Sequence, residues 1–248
     1  VLDKGRVTDR DAEDRPLRAC GTHLDVNERV RAERRLVEQS AFLETLLEGG
    51  ALEDRESARR FLEILQRQSD RLRAIIEDLL YLSRIEYEER EIAKHPVDLG
   101  TVIERTLANY EHTARGRGIE LQTHFETAHR IVEGDASLLS RAVDNLVDNA
   151  IKYSAPGSPV RVVLAAAGPD ILLQVVDQGI GIPPEHLPRL SERFYRVATA
   201  RSRELGGTGL GLAIVKHIAR AHGGSLEFES RLGQGSTFTI RLPYPIAA

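Results

Sequence analysis

Apolar positions repeat at two different intervals along the chain, and the switches between them mark out its elements. Residues 1–8 alternate apolar and polar, and PLRACGTHLDV at 16–26 is a second strand-like run. The DRDAEDR between them is rich in turn-forming Asp, which predicts a β-hairpin too small to be stable without more sheet. From Asn27 the interval becomes helical. Val26, Val30, Val37, Ala41, Leu43, Leu46 and Leu47 form a stripe that ends at Gly49 and Gly50, a helix stop. A second helix is predicted over 54–89. In it Phe61, Gln68, Ile75 and Leu82 fall seven apart, as do Leu65, Leu72 and Leu79, while Ile64, Ile76 and Leu80 widen the face. So wide an apolar face predicts that this helical hairpin pairs with another in a dimeric four-helix bundle. The alternative is a single antiparallel hairpin packed on its own neighbouring domain.

Beyond residue 96 the two intervals alternate. The pattern predicts a helix over 99–115, strands over 119–125 and 131–134, and a helix opened by Asp135 or Ser137 that carries Asn145 and Asn149. Strands follow over 160–166 and 171–176. A last helix carries the stripe Leu210, Ile214 and Ile218, with Leu212, Val215 and Ala219 beside it, and strands over 226–230 and 237–242 close the chain. Elements segregated in this way suit one mixed sheet covered by helices on one face. The fold class is α+β.

Composition narrows the picture only a little. The chain has 248 residues, 29% charged and 41% hydrophobic, a soluble globular mixture for one large domain or two or three small ones. A net charge of -4 gives no reason to expect nucleic acid. The single cysteine, Cys20, excludes a disulfide framework and suits a reducing cytoplasm. No apolar run approaches the ~18 residues of a membrane span, and nothing at the start resembles a signal peptide. The chain opens with Val and holds no Met, so the expectation is a piece of a longer protein, with room for a membrane anchor upstream.

Three stretches carry candidate chemistry. In RELGGTGLGLAIVKHIARAH (203–222) the glycines Gly206, Gly207, Gly209 and Gly211 crowd into six residues ahead of a helix. Free N–H groups there can point at an anion, and the helix dipole favours it; a plain flexible loop before a core helix is the alternative. In DNLVDNAIKY (144–153), Asn145 and Asn149 lie four apart on one helical face, with Leu146, Val147, Ala150 and Ile151 turned toward a core. An amide oxygen facing a cleft is a reasonable Mg²⁺ ligand, since that ion binds through few protein groups plus substrate phosphates. In VVDQGIGIP (175–183), the apolar run ends at Asp177, then Gly179, Gly181 and Pro183. A carboxylate at a strand end can accept from an exocyclic amine such as that of adenine.

The order DNLVDNAIKY, DQGIGIP, ERFYRV, GGTGLGLAIVK and GQGSTF resembles the N, G1, F and G2 boxes of bacterial sensor histidine kinases, whose ATP-binding domain is shared with Hsp90, gyrase and MutL. The resemblance covers 96–243, and ERFYRV (192–197) followed by TGLGLAIVK is nearer the kinases than the other ATPases. It implies a C-terminal α/β sandwich of the Bergerat type over 96–248, with the nucleotide between helices and lid. Before it come a coiled-coil linker and dimerisation hairpin over 27–95. GTHLDVNER at 21–29 resembles the end of a PAS sensor domain, with Asn27 where Thr is usual, so 1–26 would be a PAS remnant.

In that family the first hairpin helix carries the phosphoacceptor in a context like HELRTPL. Here FLETLLEGG (42–50) matches the tail of that helix, but VRAERRLVEQSA precedes it, and counting back without a gap puts the histidine position at Val30. The expectation is that the phosphoacceptor box is not present and that the first helix is short by about three turns or more. His23, His95, His112, His124, His129, His186, His217 and His222 do not replace it, and none of them shows the spacing and carboxylate company of a metal site. Surface or helix-end roles are expected for them.

The resemblance assigns ATP and Mg²⁺ as cofactors. It implies that Asn149 holds the metal and that Asn145, Lys152 and Tyr153 line nucleotide and phosphates. Asp177 reads adenine, with Gly179 and Gly181 leaving room for it. Gly207, Thr208, Gly209, Leu210 and Gly211 meet the phosphates, Ser236 places a hydroxyl near the adenine contact, and Phe194 and Arg196 anchor the lid. Lys152 as a solvated charge and Phe194 as plain core are the competing readings. The implied partners are a second copy of the chain and the receiver domain of a response regulator. Two functions stay open: a PAS-linked sensor kinase that transfers phosphate to histidine, and a nucleotide-binding dimer without phosphotransfer. A serine-kinase anti-sigma factor is a third, against which the long heptad hairpin argues.

Overall fold

Asp98 and Asp135 each end an extended segment and open a helix, and their carboxylates explain why the helices start there. Asp98 accepts from the N–H of Gly100 and Thr101, and Asp135 from Ser137 and Leu138, so each satisfies backbone donors of a first turn. The computed structural model describes residues 6–10, 16–20, 55–88, 94–197 and 207–243. The chain divides into two compact units, residues 1–67 and 68–248.

In the first unit, β1 (Arg6–Arg10) and β2 (Pro16–Cys20) form the expected antiparallel hairpin. The first strand runs on past the expected end at Thr8 to Arg10, while positions 1–5 of the first and 21–26 of the second lie outside the described residues. So does the expected first hairpin helix over 27–48. The helix α1 (Arg55–Glu88) has 34 residues, about 51 Å at 1.5 Å per residue, and its bounds match the heptad pattern within a residue. Its residues 55–67 belong to the first unit and 68–88 to the second.

The second unit is built on a five-stranded sheet. Its strands are β4 (Glu120–Phe125), β6 (Pro159–Ala167), β7 (Asp170–Asp177), β8 (Ser225–Arg231) and β9 (Gly235–Pro243), in the order β4-β6-β7-β9-β8. Only β4 and β6 pair in parallel, so the sheet is mixed as expected. Val160, Val162 and Leu164 of β6 and Ile171, Leu173 and Val175 of β7 are buried at every second residue, which fixes the face that meets the helices. Against that face lie α2 (Leu99–Gly116), α3 (Ala136–Tyr153) and α4 (Gly211–Ala221). Leu146, Val147, Ala150 and Ile151 of α3 and Ile214, Val215 and Ile218 of α4 join one core with the strands. Leu82 of α1 is buried in the same core, with Ile75 and Tyr81 packed against it.

One element differs from expectation. His95 was expected in a linker, but β3 (His95–Asp98) is a strand paired antiparallel with β5 (Ile131–Gly134) in a separate two-stranded sheet. The pairing places Val97 in the core, and burial of that side chain outweighs the local signal of Pro96. Among the described residues no helix is long and apolar enough to cross a membrane.

Candidate functional site

Strand β7 ends inside the domain, at Asp177. The carboxylate is buried, and its Oδ1 accepts the N–H of Gly179 at 2.8 Å. Burial pushes its pKa up, while backbone hydrogen bonds from Gly179 and Ser236 pull it back. Register sets Asp177 opposite Ser236 on β9. The Ser230 hydroxyl organises the neighbouring turn. Its proton goes to the Gly235 carbonyl at 2.9 Å, so it accepts from the Ser236 hydroxyl at 2.9 Å and from the Ile182 N–H at 2.8 Å.

The other wall comes from α3 and the start of α4. Asn145 donates from Nδ2 to the Arg141 carbonyl at 2.9 Å, which aims its Oδ1 at α4; a Cβ on Gly211 would lie 2.6 Å from that oxygen. Lys152 donates to Asp148 one turn before it, so its charge is paired within the helix. Gly209 adopts φ 76°, and a Cβ there would meet the Phe194 backbone at 2.9 Å. In turn the Phe194 N–H donates to the Gly209 carbonyl at 2.9 Å, with Phe194 itself at φ 61°. The stretch after β7 and the glycine stretch are thereby joined backbone to backbone. Beside them Tyr195 lies within hydrogen-bond distance of His186 Nδ1, at 2.6 Å, and the Arg189 guanidinium covers its ring at 4.3 Å.

These walls enclose a cavity of about 370 Å³ with an apolar end at Ile180, Ile182, Leu190, Leu232 and Phe238. Asp177 and Ser236 also line it, as do Asn145, Asp148, Asn149, Lys152 and Tyr153, and Gly207, Thr208, Gly209 and Gly211. It therefore offers an apolar lining beside the buried Asp177 carboxylate, together with a polar lining of amides and a helix N-terminus.

A model described as the histidine kinase-, DNA gyrase B- and HSP90-like ATPase matches residues 134–246, and a His Kinase A (phospho-acceptor) domain model matches 39–88. SenX3 of Mycolicibacterium smegmatis, named a sensor-like histidine kinase, is 41% identical over 207 residues, 83% of this chain and 53% of the relative. The solved mycobacterial sensor histidine kinase MprB is 39% identical with TM-score 0.52, over 62% of this chain and 99% of that one. Full-length ShkA in complex with AMPPNP is 27% identical with TM-score 0.65, over 77% of this chain and 39% of that one. The chain belongs to the sensor histidine kinase family. It spans between about a third and about half the length of curated relatives it matches, from 34% to 53%.

Family membership corrects one expectation. The phosphoacceptor domain is present over 39–88, although no phosphoacceptor box was expected. The matched residues hold no histidine.

Of the residues expected at a nucleotide site in this family member, twelve lie together on the cavity wall: Asn145, Asn149, Lys152, Tyr153, Asp177, Gly181, Arg196, Gly207, Thr208, Gly209, Gly211 and Ser236. Three do not line it. Leu210 is fully buried in the core and its N–H is taken by the Thr208 hydroxyl at 3.2 Å. Gly179 sits behind Asp177 and supplies the N–H that holds it. Phe194 is 39% exposed, so it is neither wall nor core, and acts through its backbone. Sequence reasoning missed Asp78 and Ala74 on α1, Asp148, and the apolar residues Leu190 and Leu232. Asp148 had a signal, its position one turn before Lys152; the others meet the site only through tertiary packing.

Mg²⁺ fits the residues present. Among the described residues no cluster of His, Cys, Asp or Glu could hold a metal alone. Asn149, on the polar wall, has the amide oxygen suited to a metal that takes its other ligands from phosphate and water.

Proposed function

We propose that this chain is the Mg-ATP-dependent core of a two-component sensor kinase, cytoplasmic, homodimeric through its helical hairpin, and partnered by a response-regulator receiver domain. The observation that carries the reading is the pairing, in one cavity, of a buried strand-end carboxylate with a glycine-rich helix start. Asp177 accepts from the adenine amine, and a base in this slot meets Ile180, Ile182 and Phe238 on its faces. Backbone N–H groups at Gly207, Gly209 and Gly211 and the α4 dipole hold the phosphates. Asn149, with Asn145 beside it, would hold Mg²⁺, which neutralises phosphate charge when bound.

In the transfer a histidine nitrogen attacks the γ-phosphorus, the bond from that phosphorus to its bridging oxygen breaks, and ADP leaves with the electron pair. The phosphoryl group then passes to an aspartate of the receiver domain. Domain limits of 1–26 for a PAS remnant, 27–95 for linker and hairpin, and 96–248 for the catalytic domain belong to the same reading.

One observation favours a second reading, a nucleotide-binding dimeric scaffold without phosphotransfer: no histidine lies between residues 39 and 88. Incubation with γ-labelled Mg-ATP separates the two. Label that is lost in acid and kept in base supports the kinase. Intact nucleotide binding without label supports the scaffold, and no binding of either ATP or its analogue overturns both.

A further inference from the structure

The stretch of α1 that packs on the catalytic domain reaches the cavity, where Ala74 and Asp78 form part of the wall. Both oxygens of Asp78 are engaged. Oδ1 accepts from Arg141 Nη2 on α3 at 2.9 Å, and Oδ2 accepts from Thr208 Oγ1 at 3.0 Å. The Arg141 guanidinium is itself stacked on the Tyr81 ring, 3.5 Å from its centroid, one turn along α1 from Asp78. Thr208 Oγ1 also accepts the Leu210 N–H at 3.2 Å, so its one proton is the one given to Asp78. A carboxylate thus stands at the N-terminal end of α4, where orphan N–H groups and the helix dipole attract an anion. A nucleotide's polyphosphate is drawn to the same end.

The geometry points to Asp78 as a resident anion that opposes the polyphosphate, so that docking of the 68–88 helix stretch and loading of a nucleoside triphosphate weaken each other. The inference rests on the nucleotide reading of the cavity. Two negative groups in one partly desolvated cleft repel far more than in water. The Thr208 hydroxyl, moreover, cannot donate to Asp78 and to a phosphate oxygen at once. Linkage makes the effect reciprocal: whatever Asp78 costs the nucleotide, the nucleotide costs the docked helix. Asp78 is a positioning residue, since it touches Thr208 and Arg141 and no reacting atom.

The test is titration of the whole chain with adenosine, ADP and a non-hydrolysable ATP analogue in wild type, Asp78→Ala and Asp78→Asn. The asparagine is isosteric and keeps an acceptor for Thr208, so it guards against a folding defect in the alanine variant. Both variants are expected to bind the triphosphate roughly five- to twentyfold tighter, within the usual range of site-to-site coupling, ADP less so, and adenosine unchanged. In wild type the analogue should speed amide exchange over 72–82, and in Asp78→Ala it should not. Triphosphate affinity unchanged or lowered in both variants, or a gain equal for adenosine, overturns the role of Asp78 alone. Wild type that binds none of the three overturns the nucleotide reading and this inference with it.

Discussion

The imidazole of His222 accepts the backbone N–H of Asp135 through Nε2 at 3.0 Å, joining the end of α4 to the residue that caps α3. Its Nδ1 faces the Ile218 carbonyl at 2.8 Å and so carries the proton. A neutral ring of one tautomer is what these two partners require. Gly134 leaves space for it, since a Cβ there would come 2.4 Å from the ring.

Burial lowers the pKa of His222, with Lys94 pushing the same way and the Ile218 carbonyl and Asp135 opposing. The folded state therefore binds the proton less readily than the unfolded chain. Stability from this site is complete above the unfolded value of about 6.5 and falls as pH drops through the window below it. Melting temperature measured from pH 8 to 5 should fall more steeply for wild type than for His222→Gln. Equal slopes would remove His222 from the acid response.

Asp177 is the buried carboxylate among the described residues that line the cavity beside its apolar residues. Asp177→Ala should weaken adenine nucleotides by one to two orders of magnitude, in keeping with about 1.5–3 kcal/mol for a hydrogen bond to a charged group. Calorimetric titration gives the number, and an unchanged affinity would move the base elsewhere.

Asn149→Ala tests the metal. Nucleotide affinity in EDTA should equal wild type, and the gain on adding Mg²⁺ should vanish. If the gain persists in full, the metal is held by other groups.

The face of α1 turned from the domain core exposes Leu72 by 62%, Leu79 by 47% and Leu80 by 60%. Leu72→Asp with Leu79→Asp should turn a dimer into a monomer by light scattering while the catalytic domain melts as before. A wild-type monomer would refute the bundle.

The legible parts of the fold were those with a local cause. The Asp135 cap, the strand that stops at Asp177 and the α4 stripe of Leu210, Ile214 and Ile218 each follow from a few neighbouring residues, and each lies where the sequence places it. What escaped depends on distant partners. The strand at 95–98 is made by β5, more than thirty residues on, and Pro96 hides it. Asp78 meets Thr208 across 130 residues, and no periodicity along α1 marks it apart from the other acids of that helix. The motif reads Leu210 as a backbone contact to phosphate, and in the structure its N–H goes to the Thr208 hydroxyl at 3.2 Å.

The base end and the phosphate end of the cavity are built of different material. Asp177 and Ser236 are neighbours across paired strands in the interior of the sheet, and Ser236 is paired in turn with Ser230 on β8. The polar end draws instead on α1, α3 and the start of α4, joined mainly through side chains. A small molecule shaped only for the base slot would therefore meet a mould already set. It should bind with a smaller ordering cost per atom than a ligand that must also organise the triphosphate end, which makes the sheet end the natural foothold for an inhibitor.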